Sequence, residues 1–173
     1  MDISNGEGVG VALFVQGCRF ACKNCFNPDT WDFNGGKEWT QDTEDKLIEL
    51  ANKPYIKRLS ILGGEPLADE NLDGVLHLVY RFRLQFPNKS IWLYSGYTWN
   101  QVMCPVITDD FNPSRDELIQ KRKEIVKQCN IFVDGRYIDS QRNPSKKWAG
   151  SDNQKVIDIR KSLEQNKVIL YCD

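Results

Sequence analysis

The chain has one histidine, His77, among 173 residues, and that scarcity narrows the metal chemistry open to it. A zinc site built on imidazole has a single such ligand to draw on, and His77 lies far in sequence from any group of soft ligands. No apolar run approaches the roughly 20 residues that a membrane-spanning helix needs. The opening Met1-Asp2-Ile3-Ser4-Asn5-Gly6 lacks the basic and apolar regions of a secretory signal. Excess charge is missing too. With 23 Lys and Arg against 24 Asp and Glu, the formal net charge is −1, which gives no electrostatic reason to expect nucleic acid or an anionic membrane as partner. These absences point to the cytoplasm, where thiols stay reduced and grouped cysteines read as metal ligands rather than disulfides. A hydrophobic share of 40% beside 27% charged residues is ordinary for a globular protein. The length is read as one domain, 1–173, large enough to bury a core.

What the chain does have is cysteine in one place. Cys18, Cys22 and Cys25 form a Cys-x-x-x-Cys-x-x-Cys pattern directly after the apolar run 11–15. Thiolates this close, on a loop able to curl, converge and suit a soft metal or an iron–sulfur cluster. On a helix, 18, 22 and 25 would share a face, so three structural thiols are a competing reading. Gly17 before them and Phe26-Asn27-Pro28 after them argue against a helix crossing the segment. Zinc, the other competitor, would need a fourth ligand. Spacing alone ranks a cluster ahead of zinc or core thiols, and all three stand at this point. Three ligands leave one position without a protein sulfur, and an open position is where a metal site does chemistry. Cys104, Cys129 and Cys172 are singly placed and read as packing or incidental thiols.

The remaining pattern alternates strands and helices. Strands are expected over 9–16, 58–62, 90–94 and 130–133, with further short extended pieces at 155–159 and 167–171 around a turn or brief helix. Helices are expected over 41–52, capped by Thr40 or Asp42, over 71–86 with an apolar stripe of Leu72, Val75, Leu76, Val79, Phe82 and Phe86, and from Ser114, where Ser114 and Glu117 have capping-box spacing. The stretch 104–113 reads as irregular, and His77 as a surface or boundary residue. Glycines close the strands at Gly17, Gly63-Gly64, Gly96 and Gly135. This is the pattern of an α/β fold with a mostly parallel sheet. A full eight-unit barrel takes about 250 residues, so a partial, open (β/α) barrel is expected, with its site at the carboxyl ends of the strands.

The Cys-x-x-x-Cys-x-x-Cys pattern resembles the signature of the radical S-adenosylmethionine (SAM) superfamily. The wider contexts, 12–18 and 25–32, are similar to the activating proteins of anaerobic ribonucleoside-triphosphate reductase. So are Gly63-Gly64-Glu65-Pro66-Leu67, and Val133-Asp134-Gly135 followed by Trp148-Ala149-Gly150-Ser151-Asp152-Asn153-Gln154. The resemblance independently implies the incomplete barrel. It also implies a [4Fe-4S] cluster on Cys18, Cys22 and Cys25, with SAM chelating the fourth iron, reductive cleavage to a 5′-deoxyadenosyl radical, and a glycyl radical made on the reductase large subunit. A one-electron donor such as flavodoxin or a thiol system is implied as well.

In the family the Gly63-Gly64 exit meets the methionyl end of SAM, and Glu65 offers acceptors to its amine. Superfamily members often carry an aromatic where this chain has Asn24, so adenine contact is expected from the backbone around Asn24 and Phe26. Ser95 is a candidate contact to the ribose or methionine, Phe14, Phe20 and Phe26 are candidate walls, and Tyr137, Trp148 and the 134–135 turn a candidate border for a docked partner. Ala149 stands where the family has arginine. Two rivals remain at this level: activation of another glycyl-radical enzyme or small-molecule radical SAM chemistry, and a non-catalytic zinc-binding interaction module.

Overall fold

A computed structural model describes residues 1–105 and 112–172 of the chain. Its centre is a five-stranded sheet in the order β1 (Gly10–Val15), β2 (Arg58–Gly63), β3 (Ser90–Tyr94), β4 (Ile131–Asp134) and β5 (Lys155–Asp158). The first four strands are parallel and β5 pairs antiparallel with β4, so the sheet is mostly parallel and open, with β1 and β5 at its edges. Helices α1 (Gln41–Ala51), α2 (Leu72–Gln85), α3 (Trp99–Met103), α4 (Pro113–Gln128) and α5 (Ile159–Gln165) accompany the sheet, with short 3-10 turns at Pro28–Thr30, Asp69–Asn71 and Asp139–Gln141.

Successive side chains of a strand point to opposite faces, and the two faces here differ. One carries Leu59, Ile61, Ile91, Leu93, Phe132 and Ile157, which join the helices in a single apolar core. The helices supply their own faces to it by period: Leu47, Ile48 and Ala51 from α1, and Leu72, Val75, Leu78, Val79 and Phe82 from α2. Burying a side chain such as Phe82 contributes about 2–3 kcal/mol. Thr40 caps α1 by accepting the Thr43 N–H. Leu78, fully buried, belongs to the α2 stripe in addition to the residues expected, while Leu76 and Phe86 pack at its margin. His77 is largely exposed and bonds Glu44, as a boundary residue would.

The opposite face carries no α-helix among the described residues. Arg58, Ser60, Trp92, Ile131, Val133 and Val156 point there, and Trp148, Ala149 and Cys172 pack over part of it. Arg58 is wholly buried at the start of β2, where its guanidinium meets the Asp2 carboxylate at 2.6 Å and the Asp2 carbonyl at 3.2 Å. Glycine is required beside it, because a Cβ at Gly10 would sit 2.6 Å from the Arg58 side chain.

Several expected boundaries shift. Helix α4 begins at Pro113 with Asn112 as cap, one residue before the expected start, because the Asn112 side chain accepts the Arg115 N–H and proline suits the first helical turn. Most of the expected irregular stretch 104–113 lies outside the described residues. Helix α3, with a capping box between Thr98 and Gln101, is an element the hydrophobic pattern did not indicate. In the tail, the expected extended pieces appear as β5 and a bridge of Leu170 to Ile157, with α5 between them. Among the described residues no helix is long and apolar enough to cross a membrane.

Candidate metal and cofactor site

The site forms where the carboxyl ends of β1, β2, β3 and β4 meet. Beyond β1 the chain turns at Gly17, whose φ of +91° and closeness to the Phe33 ring (a Cβ would lie 2.1 Å from it) leave no room for a side chain. The cysteine loop then curls rather than forming a helix: Ala21 and Asn24 sit in the left-handed region, at φ 46° and 56°. Backbone bonds fix the loop, from Gly17 N–H to the Thr30 carbonyl (2.9 Å), Cys18 N–H to Trp31 (3.0 Å) and Cys25 N–H to Cys22 (3.1 Å).

The exit of β2 packs directly on this loop. A Cβ on Gly64 would lie 2.6 Å from the Gly17 carbonyl oxygen and 2.7 Å from that of Thr30, so only glycine lets the two exits touch. The Glu65 N–H donates to the Gly17 carbonyl at 2.7 Å. Asn71 closes the junction from behind, its amide donating to the Gln16 and Glu65 carbonyls at 2.9 Å each.

Glu65 is buried, and its carboxylate works within the protein. One oxygen accepts from Ser95 Oγ at 2.7 Å and from the Leu67 N–H at 2.8 Å; the other accepts from the Gly96 N–H at 2.7 Å. Burial pushes its pKa up to about 7, and those donors act against the rise. Ser95 Oγ in turn accepts the Tyr97 N–H at 3.0 Å. Glu65 and Ser95 thereby lock the β2 exit to the β3 exit.

A cavity of about 560 Å³ opens over these loops. It brings together Cys18, Cys22, Cys25, Phe26, Gly63, Gly64, Glu65 and Ser95, with Phe14 and Phe20 as further walls and Tyr137 and Trp148 on the border. Asn24 is the exception: its side chain donates to Asp139 Oδ2 at 2.9 Å and does not line the cavity. Tyr94, Gly96 and Arg136 also line it, though sequence reasoning did not single them out as ligand contacts. Phe20 explains two of them. Its ring packs edge-on to Tyr97, with the Arg136 guanidinium 5.1 Å from its centre and Gly96 too close for any Cβ.

The stretch 148–154 forms the far rim. Gln154 Oε1 accepts the Gly150 N–H at 2.9 Å, its amide donates to the Gly135 carbonyl at 2.9 Å, and Asn153 bonds the Arg136 carbonyl at 2.8 Å. Trp148 lies edge-on to Trp92, with ring centres 4.8 Å apart.

The donor set fits an iron–sulfur cluster. Three cysteines line the same cavity, and the Asn27 N–H approaches Cys25 Sγ at 3.4 Å, as an amide supporting a thiolate does. Among the described residues no three His, Cys, Asp or Glu side chains close on a single metal ion. Burial first, then the charge of Glu65, raises the Cys18 thiol; burial, then the charge of Cys25, raises that of Cys22. A bound cation would reverse that preference, since metal ligation requires the thiolate.

Comparison with known proteins agrees. The model of a 4Fe-4S single cluster domain matches residues 4–157. The anaerobic ribonucleoside-triphosphate reductase-activating protein of Vibrio cholerae is 37% identical over 158 residues, which cover 90% of this chain and 92% of that protein. The chain belongs to this family of activating proteins. The protein of the same name from Escherichia coli K12 is 36% identical over 162 residues, covering 92% and 95% of the two chains, and that of Enterobacteria phage T4 is 34% identical over 156 residues, covering 90% and 87%. No solved structure matches.

Proposed function

We propose that this chain is the activase of an anaerobic ribonucleoside-triphosphate reductase, generating a glycyl radical on the large subunit of that enzyme. The observation that carries the reading is the meeting of Cys18, Cys22 and Cys25 with the side-chain-free Gly63-Gly64 exit in one cavity, in a chain of the activating-protein family. When bound, a [4Fe-4S] cluster and SAM supply reductive cleavage of a sulfonium bond and a 5′-deoxyadenosyl radical able to take hydrogen from glycine.

The chain's own residues do the rest. Cys18, Cys22 and Cys25 are the residues that would hold the cluster, and with three protein sulfurs they would leave a position for SAM. At Gly63 and Gly64 the backbone approaches the methionyl end with nothing intervening. Glu65 orients the site through Ser95 and Gly96, and the oxygen that accepts only the Gly96 N–H keeps a lone pair for the SAM amine. Phe14, Phe20 and Phe26 line the cavity and exclude water from the reacting carbon. With the Asn24 side chain engaged by Asp139, adenine contact falls to Phe26 and to backbone around it.

In this reading the sheet is the incomplete, open (β/α) barrel of radical SAM enzymes, built as a single domain over 1–173. It acts in the cytoplasm with a one-electron donor such as flavodoxin or a thiol system, and without nucleic acid or membrane. The test is anaerobic reconstitution followed by iron, acid-labile sulfide and SAM-cleavage assays, then electron spin resonance with the purified reductase. Four irons with sulfide, cleaved SAM and a glycyl doublet are expected. Zinc without sulfide, or a doublet on some other glycyl-radical enzyme alone, overturns the reading.

A further inference from the structure

We infer that the free edge of β1, at Ala12 and Phe14, pairs with an extended, glycine-bearing segment of the protein substrate as an added strand that leads into the cysteine cavity. This rests on the activase reading above and says how the substrate is seated.

Strand β1 is outermost in the sheet, and its alternation is fixed by its bonds. The carbonyls of Val9 and Val15 face β2, accepting the Lys57 and Gly64 N–H groups at 2.8 Å each. The backbone groups of Gly10, Ala12 and Phe14 therefore face outward. Those of Gly10 are taken, because its N–H and carbonyl exchange two 2.8 Å bonds with Asp2 in an antiparallel bridge. The edge thus already accepts one strand residue. Because the bridge is antiparallel, the chain runs from Asp2 away from Ala12, and the Asp2 carboxylate, accepting the Ser4 and Asn5 N–H groups at 3.3 and 3.2 Å, turns the arm on that side. Ala12 and Phe14 are left with no backbone partner among the described residues.

A groove lies beside this vacant edge. A second cavity, of about 420 Å³, runs between the arm at Ser4 and Asn5 and the side chains of Leu50 and Tyr55. Ser4, Asn5 and Phe14 line both cavities, so the groove opens into the cysteine site at Phe14. Phe14, Leu50 and Tyr55 are about half exposed, which gives a row of unpaired amides with apolar flanks. That combination recognises an extended peptide, with main-chain bonds for affinity and flanking side chains for selectivity. Glycine suits the inner end, where a backbone carbon must come close to the reacting centre. A second copy of this chain, pairing edge to edge, would cover the same amides but block the way into the cavity, so the substrate segment is the occupant that continuity favours.

The experiment uses the reconstituted protein, the purified reductase large subunit and a synthetic peptide spanning its radical glycine. Hydrogen exchange at the Ala12 and Phe14 amides should slow on adding either. N-methylation of alternate peptide amides should weaken peptide binding by about tenfold or more in one register and leave the other unchanged. Ala12→Pro, which removes an outward N–H, should weaken reductase binding comparably, with circular dichroism and cluster absorbance those of the parent. Unchanged exchange at both amides, indifference to N-methylation, or protection that follows self-association in sedimentation without reductase each overturns the inference and leaves the activase reading standing. A protein that cleaves SAM yet binds no reductase overturns both.

Discussion

The two faces of the sheet are held by different physics. Under the helices, Leu59, Ile61, Ile91, Leu93 and Phe132 pack with Leu78, Val79 and Phe82 in a dry core that carries no chemistry. The other face, built from the same strands, holds a buried guanidinium, and the loops at its carboxyl end supply a glutamate wedged between two strand exits and three cysteines around a cavity. The first gains stability from area, which tolerates conservative exchange. The second depends on a few polar contacts whose partners cannot be removed singly. Stability and activity are therefore expected to separate by face.

The sharpest break in that division is Cys22→Ala. Cluster absorbance and SAM cleavage should fall to background, while apoprotein stability in urea shifts by about 0.5 kcal/mol or less, since a loop ligand is lost and not a core side chain. Full cleavage activity would end the ligand assignment. On stability, Asp2→Ala should rank highest on the open face: it leaves Arg58 buried without its carboxylate and should cost about 3–5 kcal/mol. Phe82→Ala should cost a similar 3–5 kcal/mol from the helix face, yet the cluster should assemble on the fraction that remains folded. A loss of cluster that exceeds the loss of folded protein would show the faces to be coupled.

Acid and neutral pH sharpen the same comparison. Burial alone would raise the Asp2 carboxyl, but the Arg58 guanidinium and the Ser4 and Asn5 amides hold it below its ordinary 3.8. A lowered carboxyl contributes stability that is present above the unfolded value and lost as pH falls through the folded one, so the gap in urea midpoint between the wild type and Asp2→Asn should close below about pH 4. Glu65 runs the other way. Raised to about 7, it contributes most below its ordinary 4.5 and loses that contribution as pH climbs through 7, so Glu65→Gln should flatten the apoprotein's decline over that window. The smallest effect is expected at Cys104, an exposed thiol away from the cavity: Cys104→Ser should leave iron content and stability unchanged.

The helix face was legible in the sequence because it is periodic. Thr40 as cap, the α2 stripe and the strand at 58–62 all follow from local pattern, whereas the gathering of the Cys18, Cys22 and Cys25 loop with Gly63-Gly64 was expected from the alternation of strands and helices and from the family resemblance. Less local features were not. Arg58 reads as a polar residue opening a strand, and only the distant Asp2 makes its burial tolerable. Asn71 reads as a helix start, whereas its amide bridges two strand exits through carbonyls that no pattern of side chains reveals. Helix α3 has five residues, too few to show a period. The carboxylate of Glu65, expected to face a ligand, is largely engaged by the nearby Leu67 amide and by Ser95 and the Gly96 amide, 30 and 31 positions away, a pairing that sequence spacing does not encode.

The edge-to-face indoles give the protein an optical gauge of its own. Trp92 is buried in the sheet, Trp148 at the rim of the cavity meets it edge-on, and Tyr171 adjoins both. Any guest that lifts the rim must alter the polarity and spacing these rings experience, so emission wavelength and anisotropy should follow entry to the cavity without an attached label.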